Sequence, residues 1–283
     1  MQIKCFTIAT HNEGYLQILK DSCTRNNFKL EILGFNEKYT GHLFKTYKII
    51  QYLKLQPLNQ LVLFIDGFDS IILDDIHTIK NNFLILKTPF LFSKDLNQYN
   101  TKKLLINFFN KIGYTNNILF NSMFLNNRSC NIHKYNIIIN SGLFIGYSGY
   151  LLDIFEKSLN YITFFNKGSN QRILQDMCND NINIYVDENN VIFRNVSIYD
   201  KIDLKNNKVY VNGVNSSIIS FPNLGNMDKI CKYLNYDTKK IIKRNIFRHK
   251  ITNNASLKSK IILILLIILF AKIFPYFQMT RIR

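Results

Sequence analysis

The stretch Leu61–Ser70, LVLFIDGFDS, constrains this chain most. Leu61–Ile65 is a short run with no polar residue, bounded by turn-forming residues. Such a run suits a strand covered on both faces, which belongs in a sheet sandwiched between helices. The neighbouring segments supply those layers. Ile3–Ala9 reads as a first strand, Tyr15–Cys23 as a helix, and Phe28–Leu33, closed by Gly34, as a second strand. His42–Leu53 reads as a helix with Leu43, Tyr47 and Ile50 on one side. Ile76–Leu86 is a further helix and Pro89–Phe92 a further strand. This alternation predicts an α/β fold with a parallel, doubly wound sheet. Downstream, Tyr135–Tyr147 reads as strand, small-residue break and strand, with a helix expected before it at Lys102–Lys111. Asn170–Cys178 reads as a helix, Ile182–Val186 and Val191–Phe193 as strands, and Asp228–Leu234 as a short helix. Val209–Phe221 reads as a hairpin turning at Asn212-Gly213.

The charge of +17 is unevenly spread. Residues 238–283 hold 11 Lys and Arg and no Asp or Glu, which leaves +6 on residues 1–237. The body therefore lacks the electrostatic footprint of a nucleic-acid binder. Hydrophobic residues at 47% permit a large core and exclude global disorder. Cys5, Cys23, Cys130, Cys178 and Cys231 are odd in number and show no CxxC, so buried thiols in a reducing compartment are expected. His11, His42, His77, His133 and His249 form no HxH, HxxxH or HxD pattern, which excludes a two-histidine, one-carboxylate iron site.

Asp66 and Asp69 stand at the carboxyl end of the apolar strand, where open α/β sheets place their ligands. Two carboxylates three apart can hold one hard divalent cation, and a metal there can neutralise a departing diphosphate. The structural alternative makes Asp66-Gly67 a turn and Asp69 a helix cap.

Several motifs in order resemble the glycosyltransferase domain of the procollagen lysyl hydroxylases and their viral relatives. Ile8-Ala9-Thr10 resembles the family's first-strand Val-Ala-Thr, and Leu33–Gly41 (LGFNEKYTG) its Leu-Gly-x-x-Glu-x-Trp-x-Gly. FIDGFDSII resembles a strand ending in Asp-x-Tyr/Phe-Asp, and Phe92-Ser93-Lys94-Asp95 resembles Phe-Ser-Ala-Glu. Asn140–Tyr147 (NSGLFIGY) resembles Gly-Ser-Gly-Gly-Phe-Ile-Gly-Tyr, and Val186–Asn195 (VDENNVIFRN) a later family segment. The resemblance spans about Ile3 to Tyr236 and implies a GT-A-like, Rossmann-like domain with a mostly parallel sheet over residues 1–236. It implies transfer of glucose or galactose from a UDP-sugar to a hydroxyl acceptor, in the family hydroxylysine of a collagen-like chain.

The resemblance also assigns roles. Asp66 and Asp69 would hold Mn²⁺ or Mg²⁺ against the diphosphate. Tyr39, in place of the family tryptophan, and Phe68 would sandwich the uracil. Thr10 and Lys45 would contact the nucleotide, and Ser141-Gly142 would turn beside the donor sugar; a simple bulge between strands is the alternative there. The family's metal histidine lies in His-Gly-Asn-Gly-Pro-Thr-Lys, matched here by Gly225, Asn226 and Lys229. Its histidine position is Leu224, or Phe221 in another frame. The family's acids before a glutamine are replaced by Ser169-Asn170, and Gln171 is kept; Asn170 and Gln171 are the expected catalytic pair. Those departures make a degenerate domain that binds without turnover the second reading.

Residues 237–260 read as a basic linker and 261–277 as an apolar segment interrupted at Lys272. Seventeen residues are at the short limit for a span, so a membrane anchor, an interfacial helix and a buried terminal helix all fit. Met1–Thr10 shows no signal-peptide pattern, so membrane association with a cytosolic catalytic domain is the expectation.

Overall fold

The computed structural model describes residues 2–95, 137–163, 168–197, 200–222 and 226–242. Among them the chain forms a mixed α/β unit that extends to Ile242. The first half runs β1 (Lys4–Ile8), α1 (Leu16–Arg25), β2 (Leu30–Leu33), α2 (His42–Lys54), β3 (Leu61–Ile65), β4 (Ser70–Ile72), α3 (Ile76–Ile85) and β5 (Phe90–Lys94). Next come β6 (Ile139–Tyr147), α4 (Ser148–Ser158), α5 (Asn170–Asn179), β7 (Phe193–Asn195), β8 (Ile202–Lys205), β9 (Lys208–Val211), β10 (Ile218–Ser220) and α6 (Asp228–Tyr233).

The main sheet has five strands in the order β2-β1-β3-β6-β5. Pairings of β1 with β2 and β3 are parallel, but β6 enters antiparallel between β3 and β5. The sheet is thus mostly parallel, as expected, with one antiparallel strand that the sequence did not single out: an apolar strand buried on both faces carries no sequence mark of its direction. The small-residue break expected in Tyr135–Tyr147 is corrected. β6 is one strand, and its irregularity is a register shift, with Phe92 opposite Phe144 but Ser93 opposite Asn140. Ser141–Leu143 therefore bulge away from β5, while Leu143 stays paired with Ile65 of β3.

A second sheet, β4-β10-β7, leaves the main one just after Asp69. The turn expected at Asn212-Gly213 forms, with φ of 51° and 82° and with Val211 and Val214 exchanging backbone hydrogen bonds, but the chain beyond it does not pair back as the Val209–Phe221 hairpin; the longer hairpin joins β8 and β9. Its turn is Asn206-Asn207, with φ of 52° and 57°, a left-handed geometry that asparagine tolerates. β10 pairs with β4 and β7. The expected strand at Ile182–Val186 reduces to one parallel bridge, Val186 to Phe92. Helix α4 has no counterpart in the sequence reading, although Leu151, Ile154 and Phe155 give it a buried stripe at helical spacing. Helix α2 buries Thr46, Ile49, Ile50 and Leu53, so Tyr47 lies on the outer face rather than the core face.

One face of the main sheet carries a row of phenylalanines. Phe6 pairs with Phe64, Phe64 with Phe144, and Phe144 with Phe92, so four strands each place one ring in the same register. The Phe64 and Phe144 rings stack at 4.9 Å, Phe6 lies 5.1 Å from Phe64, and Phe92 lies 5.3 Å from Phe144. Residues of α2, α4 and α5 cover this face, including Ile49, Leu53, Phe155 and Ile173. The opposite face packs Leu61, Leu63 and Ile65 against residues of α1 and α3.

Cys5, Cys23 and Cys231 are buried free thiols. Cys178 is disulfide-bonded, which departs from the expectation of thiols throughout. Residues 237–242, placed in the basic linker by sequence, are structured: Thr238–Lys240 forms a 3₁₀ turn and Ile242 pairs with Gly14. No helix among the described residues is long and apolar enough to cross a membrane. The segment 261–277 and the expected helix at 102–111 lie outside the described residues.

Phe144 contacts Phe6, Phe64, Phe92 and Phe155, so it is the centre of the aromatic row. Phe144→Ala is expected to lower unfolding stability by about 3–5 kcal/mol, the usual cost of a buried aromatic cavity. Phe144→Leu, which keeps most of the volume, should cost less. Urea denaturation of both variants measures the difference, and a cost under about 1 kcal/mol for the alanine would show that the row does not hold the sheet.

Candidate functional site

The carboxyl ends of β1, β3 and β5 and the start of β6 lie at one edge of the main sheet, because β6 runs against the others. Asp66 follows β3 there, and its amide donates to the Gly142 carbonyl at 2.8 Å. Its carboxylate is held from two sides. Oδ1 accepts from Lys45 Nζ at 2.6 Å. Oδ2 lies over the α-carbon of Gly142, where a β-carbon would come within 2.5 Å of it. Only glycine leaves that approach open. Asn140 secures the same turn, because its Oδ1 accepts from the Gly142 amide at 2.7 Å.

Lys45 reaches this point because α2 packs on the aromatic row. Ile49, one turn later on the same helix face, is in the core, and the Lys45 ammonium stands 4.7 Å from the Phe64 ring centroid. The LGFNEKYTG loop is built around Phe44. Gly34 (φ 74°) leaves room for the Phe44 ring, Glu37 pairs with Lys48 at 2.6 Å, and Tyr39 packs edge-on to Phe44 at 5.7 Å. Tyr39 is still half exposed, and its phenol pKa is raised by partial burial and then by the Asp66 charge, so the two are neighbours.

Asp69 begins the second sheet, and its Oδ1 lies 3.3 Å from Ser220 Oγ and 3.4 Å from Ser70 Oγ, both hydroxyls donating. Gly67, between the carboxylates, packs so closely on Thr7 and Leu16 that a β-carbon would meet Thr7 Oγ1 at 2.9 Å. The Phe68 ring lies 5.5 Å from the His11 ring, while His11 Nε2 pairs with Glu13 at 2.6 Å and His11 Nδ1 meets Thr10 Oγ1 at 3.0 Å. Thr10 is thus placed beside the aromatic of the Asp-Gly-Phe-Asp turn.

Asn170 and Gln171 open α5. Gln171 Nε2 donates to Asp95 Oδ2 at 2.6 Å, which brings a carboxylate from the end of β5 to the side chain expected to be catalytic. Asn170 is buried and its Oδ1 accepts from Thr46 Oγ1 of α2, while its Nδ2 has no hydrogen-bond partner. Ser93, buried between strands, donates to Asn140 and accepts from Asn195 Nδ2 at 3.3 Å. Ser141, also buried, sits within the bulge.

Of the segment matched to the family histidine motif, Gly225 lies outside the described residues. Asn226 is exposed, and its Oδ1 accepts from the Asp228 amide at 2.7 Å. Lys229 is exposed on α6. Sequence reading missed Tyr15, which ties this segment to the aspartate turn. Its amide donates to the Phe68 carbonyl at 3.0 Å, while its hydroxyl donates to Asp228 at 2.8 Å and accepts from the Met227 amide at 2.9 Å. Burial and the Asp228 bond raise the Tyr15 phenol pKa well above its ordinary value, so it stays a donor. Asp187 was also missed. It is buried and accepts from the Val191, Ile192 and Phe193 amides at 2.9, 2.7 and 2.8 Å, a role in holding the loop before β7. Burial raises its pKa and those amides offset part of the rise.

Among the described residues no three His, Cys, Asp or Glu side chains gather into a metal site. The oxygen-only pair still fits a hard cation such as Mn²⁺ or Mg²⁺. The Asp66 carboxylate is partly exposed, and one of its oxygens is reached across the cradle left by Gly142. The other ligands would be phosphate oxygens and water.

No curated protein matches the chain. Among solved structures, a glycosyltransferase involved in the glycosylation of the major capsid of PBCV-1 is similar at 11% identity. The likeness covers 82% of this chain and 98% of that one, with a TM-score of 0.46. A197 from STIV is similar at 11% identity over 35% of this chain and 48% of that one, with a TM-score of 0.26. The family described as PLOD GT domain matches residues 1–125. That stretch holds Thr10, Tyr39, Lys45, Asp66, Phe68 and Asp69, and over it the chain is similar to the glycosyltransferase domain that its motifs resemble.

Proposed function

We propose that this chain is a metal-dependent, GT-A-like glycosyltransferase that moves a hexose from a UDP-sugar to a hydroxyl acceptor. The observation that carries the reading is the partly exposed Asp66 carboxylate at the end of β3, packed against Gly142 and paired with Lys45. A divalent cation on Asp66 and Asp69 would supply the charge that stabilises the departing diphosphate. Tyr39 offers an exposed ring for the uracil. Phe68, tilted against His11 at 5.5 Å, would supply the second ring. Ser141 and Gly142 line the approach for the sugar, with Thr10, Asn226 and Lys229 toward the nucleotide. Asn170, with its unpaired amide, and Gln171, with Asp95 behind it, face the transfer chemistry in this reading. Hydroxylysine of a collagen-like protein is the acceptor class that the family suggests.

Asp66→Ala and Asp69→Ala should each remove metal-dependent UDP binding and leave the fold intact. Calorimetric titration of UDP with and without Mn²⁺ tests this, and unchanged affinity in both variants would sink the assignment. Release of UDP from UDP-sugars by the wild type establishes turnover. Binding without release over hours would favour a degenerate, binding-only domain, the reading favoured by Leu224 in the histidine position.

Tyr39→Ala and Phe68→Ala should each weaken UDP binding by about 1–2 kcal/mol through lost stacking, with little effect on free pyrophosphate. Equal losses for both ligands would instead indicate collapse of the loop.

Residues 261–277 are proposed as the membrane attachment, with the basic stretch before them against an anionic, cytosol-facing leaflet. Deleting 261–283 should abolish pelleting with membranes, and pelleting that survives would remove this attachment. In intact microsomes the domain should be open to protease; protection would place it in the lumen instead.

A further inference from the structure

We propose that Lys45 is the resident counter-cation of Asp66 and competes with the divalent cation for it, so that metal loads with the nucleotide rather than before it. This rests on Asp66 being a metal ligand, as proposed above. Lys45 Nζ lies 2.6 Å from Oδ1, a charge-assisted bond that takes one face of the carboxylate. The ammonium is further held over the Phe64 ring, 4.7 Å from its centroid, and that ring is fully buried in the aromatic row. The Lys45 side chain is only 20% exposed, against 40% for Asp66, so the pair is poorly screened on the lysine side.

Two cations cannot share this carboxylate without repulsion. A metal arriving alone must displace the ammonium and meets too few protein ligands to compensate, since the described residues supply no third metal-binding side chain. A diphosphate changes both conditions. Its oxygens complete the metal's coordination, and its charge gives the displaced ammonium a new partner. Lys45 is therefore a positioning residue that couples metal to nucleotide.

The test measures Mn²⁺ binding to the full chain by the electron paramagnetic resonance signal of free Mn²⁺, with and without UDP. The wild type should bind Mn²⁺ weakly alone and much more tightly with UDP. Lys45→Met keeps an apolar stem beside Phe64 and removes the charge; it should bind Mn²⁺ alone about tenfold or more tighter, in line with the effect of a near cation on a carboxylate. Its gain from UDP should shrink. Lys45→Arg, which keeps the charge, should remain weak. Unchanged or weaker Mn²⁺ binding by a folded Lys45→Met, or an equal gain in Lys45→Arg, would overturn the competition. Asp66→Asn separates the two ideas. If it abolishes Mn²⁺ binding while Lys45→Met gains nothing, the metal assignment stands and only the competition fails. If Asp66→Asn binds like the wild type, both fail.

Discussion

Everything at the candidate site is measured from the aromatic row. Phe6, Phe64, Phe144 and Phe92 occupy one register across four neighbouring strands. A strand slipped by one residue would turn its ring to the opposite face, against the aliphatic side of the sheet, so the row specifies register strongly. Once it is fixed, Asp66 follows Phe64 by two residues and Gly142 precedes Phe144 by two on the antiparallel neighbour. That count brings the carboxylate over the glycine and lets the Asp66 amide reach the Gly142 carbonyl. Asp95 follows Phe92 by three and arrives at the same edge. Packing thus places the polar residues, and the rings also supply the apolar wall beside Lys45.

The electrostatics build on that placement. The edge gathers Asp66, Asp69 and Asp95, three carboxylates at or just beyond the ends of strands. Each has a distinct neutralising partner: an ammonium for Asp66, serine hydroxyls for Asp69, and a side-chain amide for Asp95. A hydroxyl or an amide donates a hydrogen bond without cancelling charge, so these partners leave negative potential in place. Of these partners the Lys45 ammonium is a full cation, and it sits on the carboxylate that packs against a glycine. The edge is therefore suited to a divalent cation that arrives with anionic ligands of its own.

The sequence was legible where a pattern has one physical solution. The LVLFI strand, the helices at His42 and Asn170, and the carboxylates after β3 were all readable from apolar runs and spacing. The direction of β6 was not, because a strand buried on both faces looks the same in either direction. The turn at Asn212-Gly213 was readable, but the longer ladder formed across Asn206-Asn207, because asparagine reaches left-handed φ nearly as well as glycine and both pairs serve as turns. Long-range side-chain bonds were also invisible. Gln171 and Asp95 are 76 residues apart, and Tyr15 and Asp228 are 213 apart. No local periodicity encodes such pairs, although a tyrosine directly after the first βα turn was a signal that could have been weighed.

Tyr15 also bears on the missing histidine. On the resemblance, the family motif that carries that ligand falls on Gly225, Asn226 and Lys229, with Leu224 in the histidine position. If the segment had lost its role altogether, nothing would keep its attachment to the aspartate turn. Yet one residue bonds both: Tyr15 holds the Phe68 carbonyl through its backbone amide, and the Met227 amide and Asp228 carboxylate through its hydroxyl. One of those bonds joins a partly buried phenol to a carboxylate, the kind that is costly to leave unmade. The residues Met227 and Asp228 are therefore anchored to the aspartate turn. On the proposed reading a cation on Asp66 and Asp69 would take its remaining ligands from the nucleotide and water, which is the condition under which a competing lysine matters most.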